Sequence, residues 1–282
     1  TLSINGVSWN GTVNSEGIGE VIVSGLAAGN NTAFIEYSGN NNYTKSNTTI
    51  TFNITKANTT VMGTIDDITY GENATVKVNV TGIEGTDLSG NVTVTINGVS
   101  WNGTVNSEGI GEVNLGILAV GNYTADVRFN GNNNYTSSNK SVSFRITQSN
   151  ATVVGTIANI TYGENATVKV NVTGVNNEGL NGNVTITVDN KNYNVTLTDG
   201  VGSIDVADLN AGNYTAQVKY LGNENYTESQ ALVNFTVFKA NSNVHIYVDE
   251  LYNDENNTGI VYLNGANNIP LNGTVHVSIN ST

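Results

Sequence analysis

The sequence predicts an all-β protein built from tandem antiparallel two-layer sandwiches strung into an extended rod. Three observations predict it. Long stretches recur at a period of about 91 residues, apolar residues alternate with polar ones almost throughout, and Asn/Gly pairs punctuate the alternating runs.

The repeat comes first. "NGVSWNGTVNSEGIGEV" stands at 5–21 and again, unchanged, at 97–113, and "TYGENATVKVNVTG" at 69–82 recurs unchanged at 161–174. "YSGNNNYTKSN" from 37, "FNGNNNYTSSN" from 129 and "YLGNENYTES" from 220 are three versions of one segment. "NTTV" at 58, "NATV" at 150 and "NSNV" at 241 open successive units. The expected organisation is the C-terminal part of a unit over 1–57, complete units over 58–149 and 150–240, and the N-terminal part of a unit over 241–282. Thr1 aligns with Thr93, and the last ten residues align with 182–191. The expectation is therefore a window on a longer periodic protein. Unfinished terminal units would expose strand edges able to pair with another copy.

Within a unit the strands follow from the period of two. Val76, Val78 and Val80 alternate with Lys77 and Asn79, and Val92, Val94 and Ile96 with Thr93 and Thr95. Val142, Phe144 and Ile146 alternate with Ser143 and Arg145 near the unit's end. Asn97-Gly98 predicts a type I′ hairpin, whose two central positions both need positive φ. "NSEG" at 106–109 supplies the next reversal. About seven short strands per unit follow, each burying one face. The joints "ITKAN" (54–58), "ITQSN" (146–150) and "FKAN" (238–241) carry no Gly/Pro-rich spacer, so one sandwich is expected to run almost directly into the next. Strands of 6–8 residues imply units about 35–45 Å long.

"GNYTADVRF" at 121–129 and "GNYTAQVKY" at 212–220 place Tyr123 and Tyr214 at the start of an alternating strand. This resembles the tyrosine corner of Ig-like domains, in which the ring packs and the hydroxyl bonds nearby backbone. The first unit has Asn31 at that position, which puts its corner in question.

The combination of "YGENATVKVNVTG", "GNYTA" and "GNxNYT" with a terminal apolar strand resembles the group 3 bacterial Ig-like repeats. Those repeats fill large adhesin-like surface proteins of methanogenic archaea. The resemblance runs over essentially the whole chain, weakening in the last unit ("YNDENNTGIVYLNG"). It implies tandem Ig-like β-sandwiches, secretion to the cell surface, and a stalk or adhesive role. It offers no catalytic residues.

Composition narrows the function. The net charge is −13, from 10 basic and 23 acidic side chains, and charged residues are only 12% of the chain. Nucleic acid and anionic membrane surfaces need clustered Lys/Arg, so the charge balance argues against both as partners. There is no Cys, hence neither disulfides nor thiolate chemistry. No apolar run is long enough to span a membrane, and no signal peptide opens the sequence.

Asn-x-Ser/Thr occurs about 25 times, against roughly 10 expected from composition. Asn10, Asn42, Asn53, Asn79, Asn91, Asn122, Asn134, Asn171, Asn183, Asn213 and Asn225 are candidate N-glycosylation sites. The plainer reading is that Asn and Thr decorate exposed strand faces and repetition multiplies the count. Trp9 and Trp101, replaced by Tyr193 in the next unit, are candidate contact aromatics for a sugar face, with core packing as the commoner use of a lone strand Trp. Asp66-Asp67, Asp249-Glu250 and Asp254-Glu255 offer hard oxygen ligands for Ca²⁺, but no calcium-loop spacing recurs and solvated charge explains them as well. No metal or other cofactor is expected beyond N-linked glycans. A Lys–Asn isopeptide bond needs a buried Lys, and Lys77 and Lys169 alternate with inward valines. His245 and His276 do not recur, and no catalytic motif is present.

The expected function is a structural stalk or fibre segment of an extracellular, N-glycosylated, adhesin-like surface protein, with no enzymatic activity. Its expected partners are neighbouring units, other copies in a fibre, and host or microbial surface glycans. The alternative is a repeated glycan- or partner-binding module.

Overall fold

The computed structural model describes residues 1–250, 257–265 and 268–278. Residues 1–147 and 148–282 form two compact units.

In the first, β1 (Leu2–Ile4), β2 (Val7–Trp9), β3 (Gly29–Tyr37) and β4 (Ser46–Ile54) make a four-stranded sheet of order β2-β1-β3-β4. Eight strands follow: β5 (Thr60–Thr64), β6 (Ile68–Thr69), β7 (Ala74–Thr81), β8 (Gly90–Ile96), β9 (Val99–Val105), β10 (Ile110–Gly116), β11 (Gly121–Phe129) and β12 (Ser138–Thr147). Their hydrogen-bonded order is β5-β7-β10-β9-β8-β11-β12-β6. The β10–β9 link is the single pair Gly111↔Val105, and there the sheet folds over into two layers. The layers approach closely where Gly63 faces Val127, since a Cβ on Gly63 would fall 2.6 Å from Val127 Cγ2.

The second unit holds β13 (Thr152–Thr156), β14 (Ile160–Thr161), β15 (Ala166–Thr173), β16 (Gly182–Val188), β17 (Lys191–Leu197), β18 (Val201–Val206), β19 (Gly212–Tyr220) and β20 (Ser229–Phe238). Here the layers are separate sheets, β13-β15-β18 and β14-β20-β19-β16-β17. A hairpin of β21 (Asn243–Val248) and β22 (Gly259–Asn264) follows.

Alternation sets the layers. In β7 the burial pattern strictly alternates from Val76 onward, with Val76 and Val80 fully buried and Lys77 and Asn79 exposed. Val92, Val94, Ala125, Val127 and Phe129 complete a dry core, each large side chain contributing about 1.5–3 kcal/mol of burial. Asn97 and Gly98 have φ of 49° and 83°, the two positive values of a type I′ turn. Gly109 N–H donates to Asn106 O at 2.9 Å, closing the next reversal.

The sheet over 2–54 is less covered. Ile35 is 40% exposed and Ile50 is 56% exposed, whereas Val127, which matches Ile35 one repeat later, is buried beneath β5.

Candidate functional site

The polar features that recur from unit to unit fall into three groups: the turn leading into the central strand, the loop between the last two strands, and the outward sheet faces.

At the turn, Tyr123 Oη donates to the Ala119 carbonyl at 2.8 Å, and Tyr214 Oη donates to the Asn210 carbonyl at 2.9 Å. Each ring stacks on the neighbouring strand's Phe, Tyr123 on Phe144 at 5.4 Å and Tyr214 on Phe235 at 5.5 Å. Asn31 is buried, and its amide donates to the carbonyls of Ala27 (3.2 Å) and Gly29 (3.0 Å) while accepting from Asn5 Nδ2 at 2.8 Å. Ala27 is the repeat equivalent of Ala119, so a short amide reaches the acceptor that a phenol reaches elsewhere.

The loop following β11 is organised by Asn132, whose Oδ1 accepts from the backbone N–H groups of Asn134 and Tyr135, both at 2.9 Å. Asn223 does the same for Asn225 and Tyr226. Tyr135 and Tyr226 are buried. Tyr135 Oη accepts from Ile83 N–H at 3.3 Å and bonds the Thr86 hydroxyl; Tyr226 Oη accepts from Val175 N–H at 3.1 Å and donates to Glu178.

This loop also holds the joint ahead of its own sandwich. Ala57 N–H donates to Asn134 O and Thr136 N–H donates to Ala57 O, both at 2.9 Å. Lys56 Nζ donates to Asn132 O at 2.7 Å, and Asn134 Oδ1 accepts from Ala28 N–H of the preceding sheet at 3.0 Å. In the second unit, Ser149 N–H donates to Asn225 O at 3.0 Å, Thr227 N–H to Ser149 O at 2.9 Å, and Gln148 Nε2 to Asn223 O at 2.7 Å.

The outward faces carry the sequons. Asn10, Asn42, Asn53, Asn79, Asn91, Asn122, Asn134, Asn171, Asn183 and Asn213 are exposed, and Asn225 is half-buried. For Asn53, Asn79, Asn91, Asn122, Asn171, Asn183 and Asn213 the cause is the strand period, which puts an Asn preceding an inward Val, Ile or Tyr on the solvent side. Asn5, Asn31, Asn130 and Asn132 donate through Nδ2, and these four lie outside Asn-x-Ser/Thr.

Trp9 and Trp101 are half-buried. Trp101 sits opposite Val94 and packs on the edge of the core. Lys77 and Lys169 are exposed, as are His245 and His276.

The acidic groups are used one by one. Asp67 Oδ1 accepts from Arg145 N–H at 2.7 Å, and Asn159, at the equivalent place, accepts from Thr236 N–H at 2.8 Å. A neutral amide performs the same task, so charge is not what this position requires. Glu72 accepts from the backbone N–H of Thr69 at 2.7 Å and from its hydroxyl at 2.8 Å, and these two bonds, the backbone one foremost, hold its carboxyl below the usual range. Asp87 is lowered in the same way by the Ser89 N–H. Asp66, Asp249 and Glu250 are exposed, and Asp254 and Glu255 lie outside the described residues. Among the described residues no three acidic, His or Cys side chains gather closely enough to hold a metal ion. No helix among them is long and apolar enough to cross a membrane.

Residues 152–238 match the bacterial Ig-like domain (group 3). No curated protein matches the chain. Among solved structures the chain is similar to a tetra-tandem repeat from the extending region of a large adhesion protein, with 16% identity and a TM-score of 0.39 over 95% of this chain and 80% of that one. It is similar to invasin, a bacterial integrin-binding protein, with 16% identity and a TM-score of 0.47 over 76% of this chain and 48% of that one. It is also similar to immunoglobulin domains 1–5 of Sidekick-1, with 16% identity and a TM-score of 0.35 over 84% and 52%. At these identities the likeness is one of fold.

Proposed function

We propose that this chain is a spacer segment of an extracellular, adhesin-like surface protein, carrying N-linked glycans on its outer sheet faces and placing an attachment function at a distance from the cell. Its task is mechanical and needs no reaction. The observation that carries the reading is the repeated stitch between a joint residue and the loop of the following sandwich, Ala57 with Asn134 and Thr136, Ser149 with Asn225 and Thr227. A linker paired by two backbone hydrogen bonds loses the freedom of a flexible tether, which is what a spacer under load requires. The near-identical copies and the Ig-like match over 152–238 support the same reading.

Single-molecule stretching of the 282-residue chain tests it. The complete sandwiches are expected to unfold as separate events, each releasing about 300 Å of chain. Loss of length in small continuous steps at low force would sink the spacer reading. Intact mass of material from the producing cell tests the glycan part, with a mass equal to the bare polypeptide counting against it.

A further inference from the structure

Many sequons lie on the strands, and three pairs of them lie side by side on antiparallel neighbours. In each pair the Asn of one sequon faces the Thr of the other. Asn183-Val184-Thr185 on β16 runs against Asn194-Val195-Thr196 on β17, with Asn183↔Thr196 and Thr185↔Asn194 in register. Thr185 Oγ1 donates to Asn194 Oδ1 and Thr196 Oγ1 donates to Asn183 Oδ1, both at 3.2 Å. Asn213-Tyr214-Thr215 on β19 and Asn234-Phe235-Thr236 on β20 are locked in the same reciprocal way, at 2.7 Å from Thr215 to Asn234 and 2.9 Å from Thr236 to Asn213. Asn91-Val92-Thr93 and Asn102-Gly103-Thr104 share the register, and Thr93 Oγ1 donates to Asn102 Oδ1 at 3.0 Å.

N-glycosylation forms a bond between Asn Nδ2 and the anomeric carbon of an oligosaccharide. The bond from that carbon to the lipid phosphate oxygen breaks, the lipid phosphate departs with the electron pair, and one proton leaves Nδ2. The transferring enzyme must take hold of the Asn amide, the Thr hydroxyl and the intervening backbone together. In the first two pairs both amide oxygens and both hydroxyls are engaged with the partner sequon, in the third the Asn102 oxygen and the Thr93 hydroxyl are, and in all three the backbone is committed to the ladder between strands. Exposure of the Asn is therefore not access. Asn42 differs, since its sequon lies outside the strands and is exposed throughout, whereas Asn10 Oδ1 accepts from Thr1 Oγ1 at 3.0 Å, as Asn102 does from Thr93.

We propose that the fold divides its sequons into two classes. Asn91, Asn102, Asn183, Asn194, Asn213 and Asn234 accept an N-glycan only before their strands pair, whereas Asn42 remains an acceptor on the folded chain. The claim rests on the reading of these sequons as glycosylation sites. It adds an order of events, in which sugar transfer to the sheet faces must precede sheet closure.

The test is transfer in vitro, with a purified single-subunit oligosaccharyltransferase and a lipid-phosphate-linked oligosaccharide as donor, read site by site by mass spectrometry. Two substrates are compared, the folded chain and the full chain carrying Val218→Asp, which puts a charge into the core of the 150–240 sandwich, where Val218 is fully buried. Loss of that sandwich's strand signal by circular dichroism confirms the unfolding, and a second core charge, Ile186→Asp, is added if one leaves it folded.

The folded chain is expected to be modified at Asn42 and at least tenfold less at the six paired sites. In the variant, Asn183, Asn194, Asn213 and Asn234 are expected to rise to the level of Asn42, while Asn91 and Asn102 in the intact sandwich stay low. Modification of the folded chain at paired sites to the level of Asn42 overturns the proposal and leaves the glycosylation reading standing. Failure of the unfolded sandwich to accept sugar at its four sites overturns both.

Discussion

The Asn31 amide donates to the Ala27 carbonyl at 3.2 Å, in the place where Tyr123 reaches Ala119 and Tyr214 reaches Asn210. One carbonyl at the turn must be satisfied in every copy, and two unlike side chains do it. Asn31→Ala removes that donor and also the acceptor for Asn5, both in a buried setting. The expected cost is about 1–3 kcal/mol, read as faster amide hydrogen exchange across β3 with the sandwich of 58–147 unchanged.

Tyr123→Phe and Tyr214→Phe keep the ring stack on Phe144 and Phe235 and remove only the hydroxyl. Each is expected to cost about 0.5–1.5 kcal/mol in urea unfolding of its own sandwich. Tyr123→Ala also loses the ring and is expected to cost distinctly more. Equal losses for Phe and Ala would mean that the ring contributes nothing.

Asn132→Ala leaves the backbone N–H groups of Asn134 and Tyr135 without their acceptor. Because that loop holds Ala57, the effect is expected at the joint as well as in the loop. Exchange of the Ala57 and Ala28 amides should accelerate together, while the core strands β7 and β8 stay protected. Asn223→Ala should do the same at Ser149.

Gly63→Val drives a side chain into Val127 across the two layers, since even a bare Cβ would sit 2.6 Å from Val127 Cγ2. Overpacking of this kind costs about 1–3 kcal/mol. Gly121→Ala is the control, because its Cβ would meet nothing nearer than Tyr123 at 3.5 Å. Thermal unfolding should separate the two.

Glu72 has a folded-state pKa below the ordinary carboxylate range, because its charged form accepts two bonds from Thr69, the backbone one foremost. A group lowered on folding contributes stability above its unfolded pKa, and that contribution is lost as pH falls through the folded value. The Glu72 carboxyl should therefore titrate at lower pH in the folded chain than in the urea-unfolded chain by NMR. Glu72→Gln should remove that part of the acid dependence. At the alkaline end, burial raises the Tyr220 phenol, so its contribution is present below the ordinary tyrosine range and is lost as pH rises through the folded value.

Much of this was readable before any coordinates. The alternation of Val76, Val78 and Val80 placed a strand and its buried side together, and Asn97-Gly98 announced its hairpin, because both signals are local. Exposure of the strand sequons, Asn79 and Asn171 among them, follows from the same period. What stayed hidden depends on pieces of chain that are distant in sequence. Asn31 read as a gap in the pattern, since nothing local says that a shorter amide can reach the same carbonyl. Asn132 and Asn223 read as part of a repeated motif, and only the packed structure joins their loop to Ala57 and Ser149. The joint recurrence of "GNxNYT" with "KAN" and "QSN" is the trace this stitch leaves in the sequence.

The amino-acid order alone settled that this chain is all-β in class, that it repeats about every 91 residues, and which side of each strand is dry, because a two-residue period and a φ-positive turn need no distant partner. Tertiary structure decided which sequon lies beside which. Pairing Asn183 with Thr196, or Asn213 with Thr236, is a matter of strand register, set by burying one face of each strand in a common core, and a slip of one residue would have turned every one of those side chains to the other side.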